Sequence, residues 1–249
     1  MPTKRPHSLE AAQYREIIDR LIKLYIDQAD FGTKRRQTRL VLVLAGIEQE
    51  VIDSAVGFKV LHNAGMHNAA VPLVRKAFEF AITAQWMHHV PNAVDAFLAK
   101  SAGSAKKLFE ETKTAQIILP DDLITEYEKP AETAPDEVKV LRAFERVCNG
   151  FAPGKGNGLY LMYRSLSGIC HPSVSAVSRH YELESKADAG VVLTLNGGEE
   201  ETHILNTLAA SLVWAGRAID QNVKDRPRQA ALKQAAREMG VPSILKPVA

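Results

Sequence analysis

The sequence predicts a mainly α-helical fold, an antiparallel bundle of long helices with smaller additions. Apolar residues recur at three- and four-residue intervals through most of the chain, which is the period of an amphipathic helix. Residues 67–89 are apolar or small around most of the helix circumference, which is typical of a helix at the centre of a bundle. Alternating apolar and polar residues that end in Asn-Gly predict one small β-hairpin near 180–198.

The boundaries of the first helices rest on local signals. Ser8 is a plausible N-cap for the first helix, and Gly65 marks a break between the second and the third. Pro72 is expected in the first turns of the third helix, and Pro91 is expected to end it. The predicted helices span residues 9–30, 33–62, 67–89, 92–116, 136–148, 159–171, 199–220 and 226–239.

We expect one helical domain over residues 1–249, because no internal repeat or linker divides the chain. Within it we distinguish an N-terminal helix in 1–32, a bundle core in 33–220, and a basic C-terminal helix and tail in 221–249. A Pro-, Asp- and Glu-rich stretch at about 119–138 is predicted to be an exposed acidic insert.

Composition excludes several classes of protein. The formal net charge is only +2, so general affinity for nucleic acid is not expected and any such site must be local. The longest strongly apolar run is far shorter than the roughly 20 residues of a membrane helix, and the first residues lack the apolar core of a secretory signal. We therefore expect a cytoplasmic protein without a membrane partner, in which Cys148 and Cys170 are small buried residues.

The segment from Leu159 to His171 is the strongest candidate for a functional site. On a helical wheel one side is apolar, whereas Tyr160, Arg164, Ser167 and His171 form a polar column on the other side. Arg164 and His171 are almost two turns apart and can address the same volume. Arginine binds phosphate oxygens, and histidine transfers protons near neutral pH, so this column suits phosphate chemistry. The alternative is a solvated polar face.

Two charged residues, Arg75 and Glu79, interrupt the apolar third helix one turn apart. Charges on such a helix need partners, because burying an unpaired charge is costly. One interpretation is an internal ion pair that orients the bundle. The other is that this pair faces Arg164 and His171, adding a phosphate contact and a carboxylate that orients a base.

Metal and nucleotide sites are not predicted. His62, His67, His88 and His89 lie near helix ends without the spacing of a ligand set. The Gly-rich stretch 151–158 lacks the full spacing of a phosphate loop, and nucleophile-elbow, Rossmann and kinase signatures are absent. We expect no cofactor and no metal.

The stretch YRSLSGICHP, residues 163–172, resembles the Arg-x4-6-His signature of HEPN-domain proteins, with six residues between Arg164 and His171. The upstream stretch VPLVRKAFEFAITAQWM, residues 71–87, resembles the LlRxxxE helix of uncharacterised bacterial HEPN-like families. The resemblance covers roughly residues 35–220, and these two stretches are its sharp parts.

The resemblance implies a HEPN-like helical bundle that dimerises and cuts RNA without a metal ion. It assigns phosphate binding to Arg164 and the general acid or base to His171, with Ser167, Tyr160, Arg75 and Glu79 in support. The product would be a 2′,3′-cyclic phosphate. The implied partners are a second copy of the chain, an RNA substrate, and an antitoxin or other protein if the chain is a toxin or defence effector.

Two other function classes stay open at this point. The first is a non-catalytic helical interaction module, in which the Arg/His column is a structural hydrogen-bond cluster. The second is a small-molecule or nucleotide binder that uses a pocket between the central helices. Basic residues at 34–39 and 226–237 are candidates for flanking RNA contacts or for solvated helix ends.

Overall fold

The chain folds as an all-α protein, and the computed structural model describes residues 9–30, 32–33, 37–115, 135–151, 158–178, 181–183, 191–193 and 202–248. This described part contains ten helices and two short strands. None of the helices described is both long and apolar enough to cross a membrane. The elements are α1 (Ala11–Asp27), α2 (Thr38–Asn63), α3 (His67–His89), α4 (Ala93–Thr114), α5 (Val138–Leu141), α6 (Phe144–Asn149), α7 (Gly158–Cys170), α8 (Val174–Val177), β1 (Tyr181–Leu183), β2 (Val191–Leu193), α9 (Thr202–Asp220) and α10 (Gln229–Met239).

Helix α3 lies at the centre of the fold, as its composition predicts. It packs against α2, α9, α7, α6 and α4, while α1 and α10 pack against α9. Small buried side chains let neighbouring helices approach α3 closely, and larger ones fill the space between them. The buried side chains of α3 include Ala70, Val74, Ala77, Phe78, Ala81 and Ile82. The predicted bounds, 67–89, are confirmed, and Pro72 lies inside the helix as expected.

The predicted start of the second helix at residue 33 is wrong. Thr33 instead forms an antiparallel bridge with Val223, and the Lys224 amide donates to the Gly32 carbonyl at 2.9 Å. This pairing with the turn after α9 takes Thr33 out of the predicted helix, and α2 begins at Thr38. Ser8, the predicted N-cap of the first helix, lies outside the described residues, and α1 begins after Glu10.

The single helix predicted at 136–148 is also wrong, because the structure breaks it into α5 and α6. Ala143 between them is extended, with φ −135° and ψ 120°. The break lets Phe144 pack its ring against Phe78 and Tyr163, with centroid distances of 6.2 and 4.6 Å. Burial of this ring between α3 and α7 is a tertiary contact that the local sequence does not encode.

The predicted hairpin is confirmed as a pair of short antiparallel strands, with Tyr181 opposite Leu193 and Leu183 opposite Val191. Most of the predicted acidic insert, through residue 134, lies outside the described residues, as do residues 152–157 of the Gly-rich stretch. Val138, at the end of the insert, is buried and begins α5.

A network of buried charges joins α2, α9 and the start of α10, and the sequence analysis did not predict it. The Arg228 Nη1 donates to Glu48 Oε2 at 2.9 Å, and its backbone amide donates to Asp220 Oδ1 at 3.2 Å. The Arg217 Nη1 donates to Asp220 Oδ2 at 2.6 Å. Because Arg228 is fully buried, its interpretation as an exposed RNA contact is wrong.

His88, at the end of α3, lies beside this network. Its Nδ1 is 3.0 Å from Asn222 Nδ2, which also donates to the Ala218 carbonyl. Burial, together with the neighbouring charges of His89, Arg217 and Arg226, lowers the pKa of His88 to about 4. His88 is therefore neutral in the folded protein near neutral pH.

We expect the free energy of unfolding to fall as the pH drops from about 6.5 to about 4. In that window the unfolded chain binds a proton at His88 that the folded chain does not, so stability is lost with acid. Urea unfolding of the parent and of His88→Gln at several pH values measures this dependence. The difference between the two proteins should change across the window, and an identical pH dependence would contradict the assignment.

Candidate functional site

The candidate site is built on helix α7, which packs one side against α3 and α6. Leu166 is fully buried, whereas Leu159, Met162 and Ile169 are half-buried against the core. The apolar side of α7 therefore faces the bundle, as its helical wheel predicts. This packing determines which side chains of α7 are exposed to solvent.

Arg75 of α3 binds two side chains of α7. Its Nε donates to Ser167 Oγ at 2.9 Å, and its Nη2 donates to the Tyr163 hydroxyl at 2.5 Å. The guanidinium carbon also lies 4.8 Å from the centroid of the Tyr163 ring. Ser167 Oγ in turn donates to the Tyr163 carbonyl at 2.8 Å. We call Arg75, Tyr163 and Ser167 the α3–α7 clamp, because two hydrogen bonds and one cation–π contact join the two helices there.

Glu79 lies one turn after Arg75, and its Oε2 is 4.0 Å from Arg75 Nη2. Burial would lower the pKa of Arg75, but the hydrogen bond to Tyr163 and the nearby Tyr163 and Glu79 groups raise it, and the net shift is upward. Arg75 is therefore a permanent cation in the clamp. Because both side chains are partly exposed, the Arg75–Glu79 pair itself contributes little to stability.

Arg164 and His171 are exposed on α7 and at its end. Neither side chain makes a hydrogen bond or an ion pair with any other residue in the described ranges. The His171 backbone amide donates to the Ser167 carbonyl at 3.1 Å, which continues the helical pattern up to Pro172. The next turn is fixed by Ser173, whose Oγ donates to the Gly168 carbonyl and accepts from the Ala176 amide. An arginine and a histidine are thus presented to solvent from an anchored helix end.

The structure divides the predicted polar column into two parts. Ser167 faces α3 and binds Arg75, whereas Arg164 and His171 are exposed. We predicted that Arg75 or Glu79 faces Arg164 and His171. In the described ranges Arg75 instead binds Tyr163 and Ser167, and its other charged neighbour is Glu79. The rotation of α7 against α3 decides this division.

Tyr163 is the residue that sequence reasoning missed. On the helical wheel Tyr163 falls on the apolar side. A usable signal was present, because Tyr163 and Ser167 are four residues apart and therefore share a side of the helix. A partly buried arginine on the facing helix requires polar partners on such a side.

Tyr160 is half-buried and lies against Tyr163. Their ring centroids are 6.1 Å apart and their planes differ by 18°. Cys148 and Cys170 are free thiols, Cys148 buried and Cys170 half-buried. Burial, together with the charges of Glu79 and Glu145, raises the pKa of Cys148 to about 12, so this thiol is not a nucleophile at neutral pH.

The structure also bears on possible metal ligands and on the basic residues at 34–39. Among the described residues, no group of three His, Cys, Asp or Glu side chains is placed to hold a metal ion. Of the basic residues at 34–39, residues 34–36 lie outside the described ranges, and Arg39 forms an exposed ion pair with Asp95 at 2.6 Å.

A family model matches residues 42–188, more than half of the chain, and its description is a family of unknown function, DUF5677. The matched span begins in α2 and includes Arg75, α7 and His171. No curated protein and no solved structure matches the chain.

Proposed function

The chain belongs to DUF5677, a family of unknown function, and from the side chains exposed on α7 we propose that it is a metal-independent endoribonuclease of the HEPN type. One observation carries the proposal: Arg164 and His171 are both exposed at the surface of one anchored helix, unengaged by described residues. Seven residues apart, they lie on the same side of α7. The pair combines a fixed cation with a proton-transfer group, which are the two functions that phosphodiester cleavage in RNA requires.

In the proposed reaction Arg164 binds the scissile phosphate and stabilises the charge that develops on its oxygens. His171 removes the proton from the ribose 2′-hydroxyl, and the 2′-oxygen attacks the adjacent phosphorus. The bond from phosphorus to the 5′-oxygen breaks, and that oxygen takes up a proton from the imidazolium or from water. The products are a 2′,3′-cyclic phosphate and a 5′-hydroxyl end.

The proposal includes a homodimer, in which two Arg164/His171 pairs share one cleft. An antitoxin or other protein partner belongs to the same proposal, if the ribonuclease is a toxin or defence effector. The acidic insert at 119–138 is a candidate contact for such a partner.

A single assay tests the activity. Purified parent protein and His171→Ala are incubated with a mixed-sequence labelled RNA in the presence of EDTA. We expect cleavage by the parent, cyclic-phosphate ends on the product, and loss of cleavage in the variant. Absence of cleavage by the folded parent would contradict the proposal.

A second candidate function, a non-catalytic interaction module, is favoured by a different observation. Apolar side chains are exposed on α7 and on the short helix α8, namely those of Leu161, Val174 and Val177, with Val174 82% exposed. Exposed apolar clusters often mark protein interfaces. On this alternative the parent would bind a protein partner through α7 and would not cut RNA.

The α3–α7 clamp gives the ribonuclease proposal a positioning residue. Tyr163→Phe removes the hydroxyl that accepts from Arg75 and keeps the ring. If the clamp aims Arg164 and His171, this change should lower kcat for RNA cleavage by up to about 100-fold, because small misplacements of reacting groups are costly. KM should change little, since Arg164 is retained.

Tyr14→Phe is the matched control for this experiment. Tyr14 is buried on α1, and it too would lose only a phenolic hydroxyl. We expect it to leave both kcat and KM unchanged. Equal kcat for Tyr163→Phe and the parent would show that the clamp does not position the site.

A further inference from the structure

Helix α2 exposes one narrow stripe of its surface. From residue 40 onward its exposed positions are separated alternately by four and by three residues, so all of them lie on one side of the helix axis. Its buried residues point the other way, toward the bundle. An average spacing of 3.5 residues is typical of a helix that packs lengthwise against a second helix. We call these exposed residues the α2 seam: Leu42, Gly46, Gln49, Asp53, Val56, Val60 and Asn63.

The apolar members of the α2 seam are open to solvent. The exposed fractions of Leu42, Val56 and Val60 are 66%, 42% and 63%. A Cβ atom added at Gly46 would meet nothing within 4 Å, so no described neighbour requires a glycine there. Glycine inside a helix is destabilising relative to alanine. A second protein surface that approaches closely at Gly46 accounts for both features.

The α2 seam is symmetric about Val51. Leu42 and Val60 lie nine residues on either side of it, and the next pair inward, Gly46 and Val56, lies five residues on either side. When two copies pack α2 antiparallel about a two-fold axis at Val51, Leu42 lies opposite Val60 of the second copy. In the same way Gly46 lies opposite Val56. An apolar residue thus meets an apolar one, and the smallest residue meets a branched one.

The two polar residues at the centre of the α2 seam obey the same symmetry. Gln49 and Asp53 lie two residues on either side of Val51, and Gln49 Nε2 donates to Asp53 Oδ1 of the same chain at 2.8 Å. The amide nitrogen has a second N–H, and a carboxylate accepts more than one hydrogen bond. In an antiparallel pair each Gln49 therefore has a further acceptor in Asp53 of the second copy. A polar contact at the centre of a helix pair fixes its register and orientation.

Charged residues beside the α2 seam already have partners within the chain. Lys59 pairs with Asp19 of α1. Glu50 Oε2 lies 2.6 Å from Lys76 Nζ of α3. Both flanks of the seam are thus neutralised, and like charges do not oppose the approach of a second copy there.

We propose that the α2 seam is an interface for a second copy of this chain, which packs its own α2 antiparallel about a two-fold axis at Val51. The partner is the same seam, because the seam is complementary to itself in this arrangement and a two-fold interface requires one self-complementary surface. The seam lies on a different helix from Arg164 and His171. The inference therefore does not rest on the proposed ribonuclease activity or on the cleft assigned to α7.

Sedimentation equilibrium of the full chain over a range of concentrations measures association. Val60→Asp should raise the dimer Kd by at least about 100-fold, because it places an unpaired carboxylate against Leu42 of each copy. Leu108→Asp on α4 is the matched control, since Leu108 is 64% exposed and Val60 is 63% exposed. It should leave the Kd unchanged. Thermal melts verify that both variants are folded.

Cysteine cross-linking tests the antiparallel arrangement. In a Cys170→Ala background, the double variant Leu42→Cys, Val60→Cys should form a covalent dimer under mild oxidation. Leu42→Cys alone should not, because the two copies of that position lie about 27 Å apart along the helix axis. The Cα atoms of a disulfide lie within about 7 Å of each other. Parallel helices would instead link the single variant.

The outcomes are independent of RNA cleavage. Association that Val60→Asp weakens and Leu108→Asp does not, with cross-linking of the double variant alone, supports the interface even if the parent does not cut RNA. A parent that is monomeric at every concentration overturns the inference. A dimer that Val60→Asp leaves intact, or cross-linking of the single variant, overturns it as well.

Discussion

His171→Ala is expected to lower the rate of RNA cleavage by about 10²–10⁴-fold, the usual contribution of one general acid or base. That loss corresponds to about 2.7–5.4 kcal/mol in the activation barrier. Because the His171 side chain is exposed, the free energy of unfolding should change by no more than about 0.5 kcal/mol. Single-turnover cleavage and urea unfolding of the same preparation measure the two quantities.

Arg164 provides the matching test of phosphate binding. Arg164→Ala should lower the cleavage rate by about 10²–10³-fold, as the loss of one charged donor to a developing oxyanion does. Arg164→Lys should recover part of this loss, because lysine keeps the charge and lacks the two-pronged geometry. Arg20→Ala, at an exposed position on α1, is the matched control and should cleave as the parent does.

Two outcomes would count against the site. If the alanine variants of both residues cleave RNA as the parent does, Arg164 and His171 are not catalytic residues. If both variants instead lose several kcal/mol of stability, the side chains act in the fold, as the interaction-module hypothesis first supposed. Because Arg164 and His171 are both exposed, we expect neither alanine variant to lose several kcal/mol of stability.

Arg228→Met is expected to lower the free energy of unfolding by about 3–5 kcal/mol, because it leaves a buried carboxylate without its partner. Glu48 is 7% exposed and Arg228 1% exposed in their ion pair. Burial raises the pKa of Glu48, and Arg228 opposes that rise. In the variant this opposition is lost, so its deficit should shrink as the pH falls and Glu48 takes up a proton. Urea unfolding between pH 5 and 7 is the measurement.

The double variant Glu48→Met, Arg228→Met is the sharper control. Replacing both charges by apolar side chains of similar volume is often neutral or stabilising, so it should be more stable than Arg228→Met alone. The exposed pair of Arg20 and Glu238 is the surface reference, and Arg20→Met should cost less than about 1 kcal/mol. Equal costs for Arg228→Met and Arg20→Met would show that burial of the pair has no effect.

Much of the fold was predictable because its signals are local. The 3.6-residue apolar period, Gly65 and Pro91 predict α3 with its observed bounds. The apolar side of the helix predicted at 159–171 and the hairpin near 180–198 were predictable for the same reason. Each of these signals depends on neighbours along the chain and not on packing partners.

The errors arise where contacts distant in sequence decide local structure. Thr33 leaves the predicted helix because it pairs with Val223, 190 positions later in the chain. Phe144 starts a separate helix because its ring packs between α3 and α7. Local propensity is weak enough for such contacts to override it.

For the candidate site, the sequence by itself determined which residues occupy α7 and that Arg164, Ser167 and His171 share a broad polar side. It also determined that Arg75 needs a partner, since a charge within an apolar helix is costly to leave unpaired. Only the tertiary structure decided that the partners are Tyr163 and Ser167, which leaves Arg164 and His171 exposed. The physical reason is that helical periodicity fixes the order of side chains around an axis, whereas the rotation of that axis against α3 follows from packing.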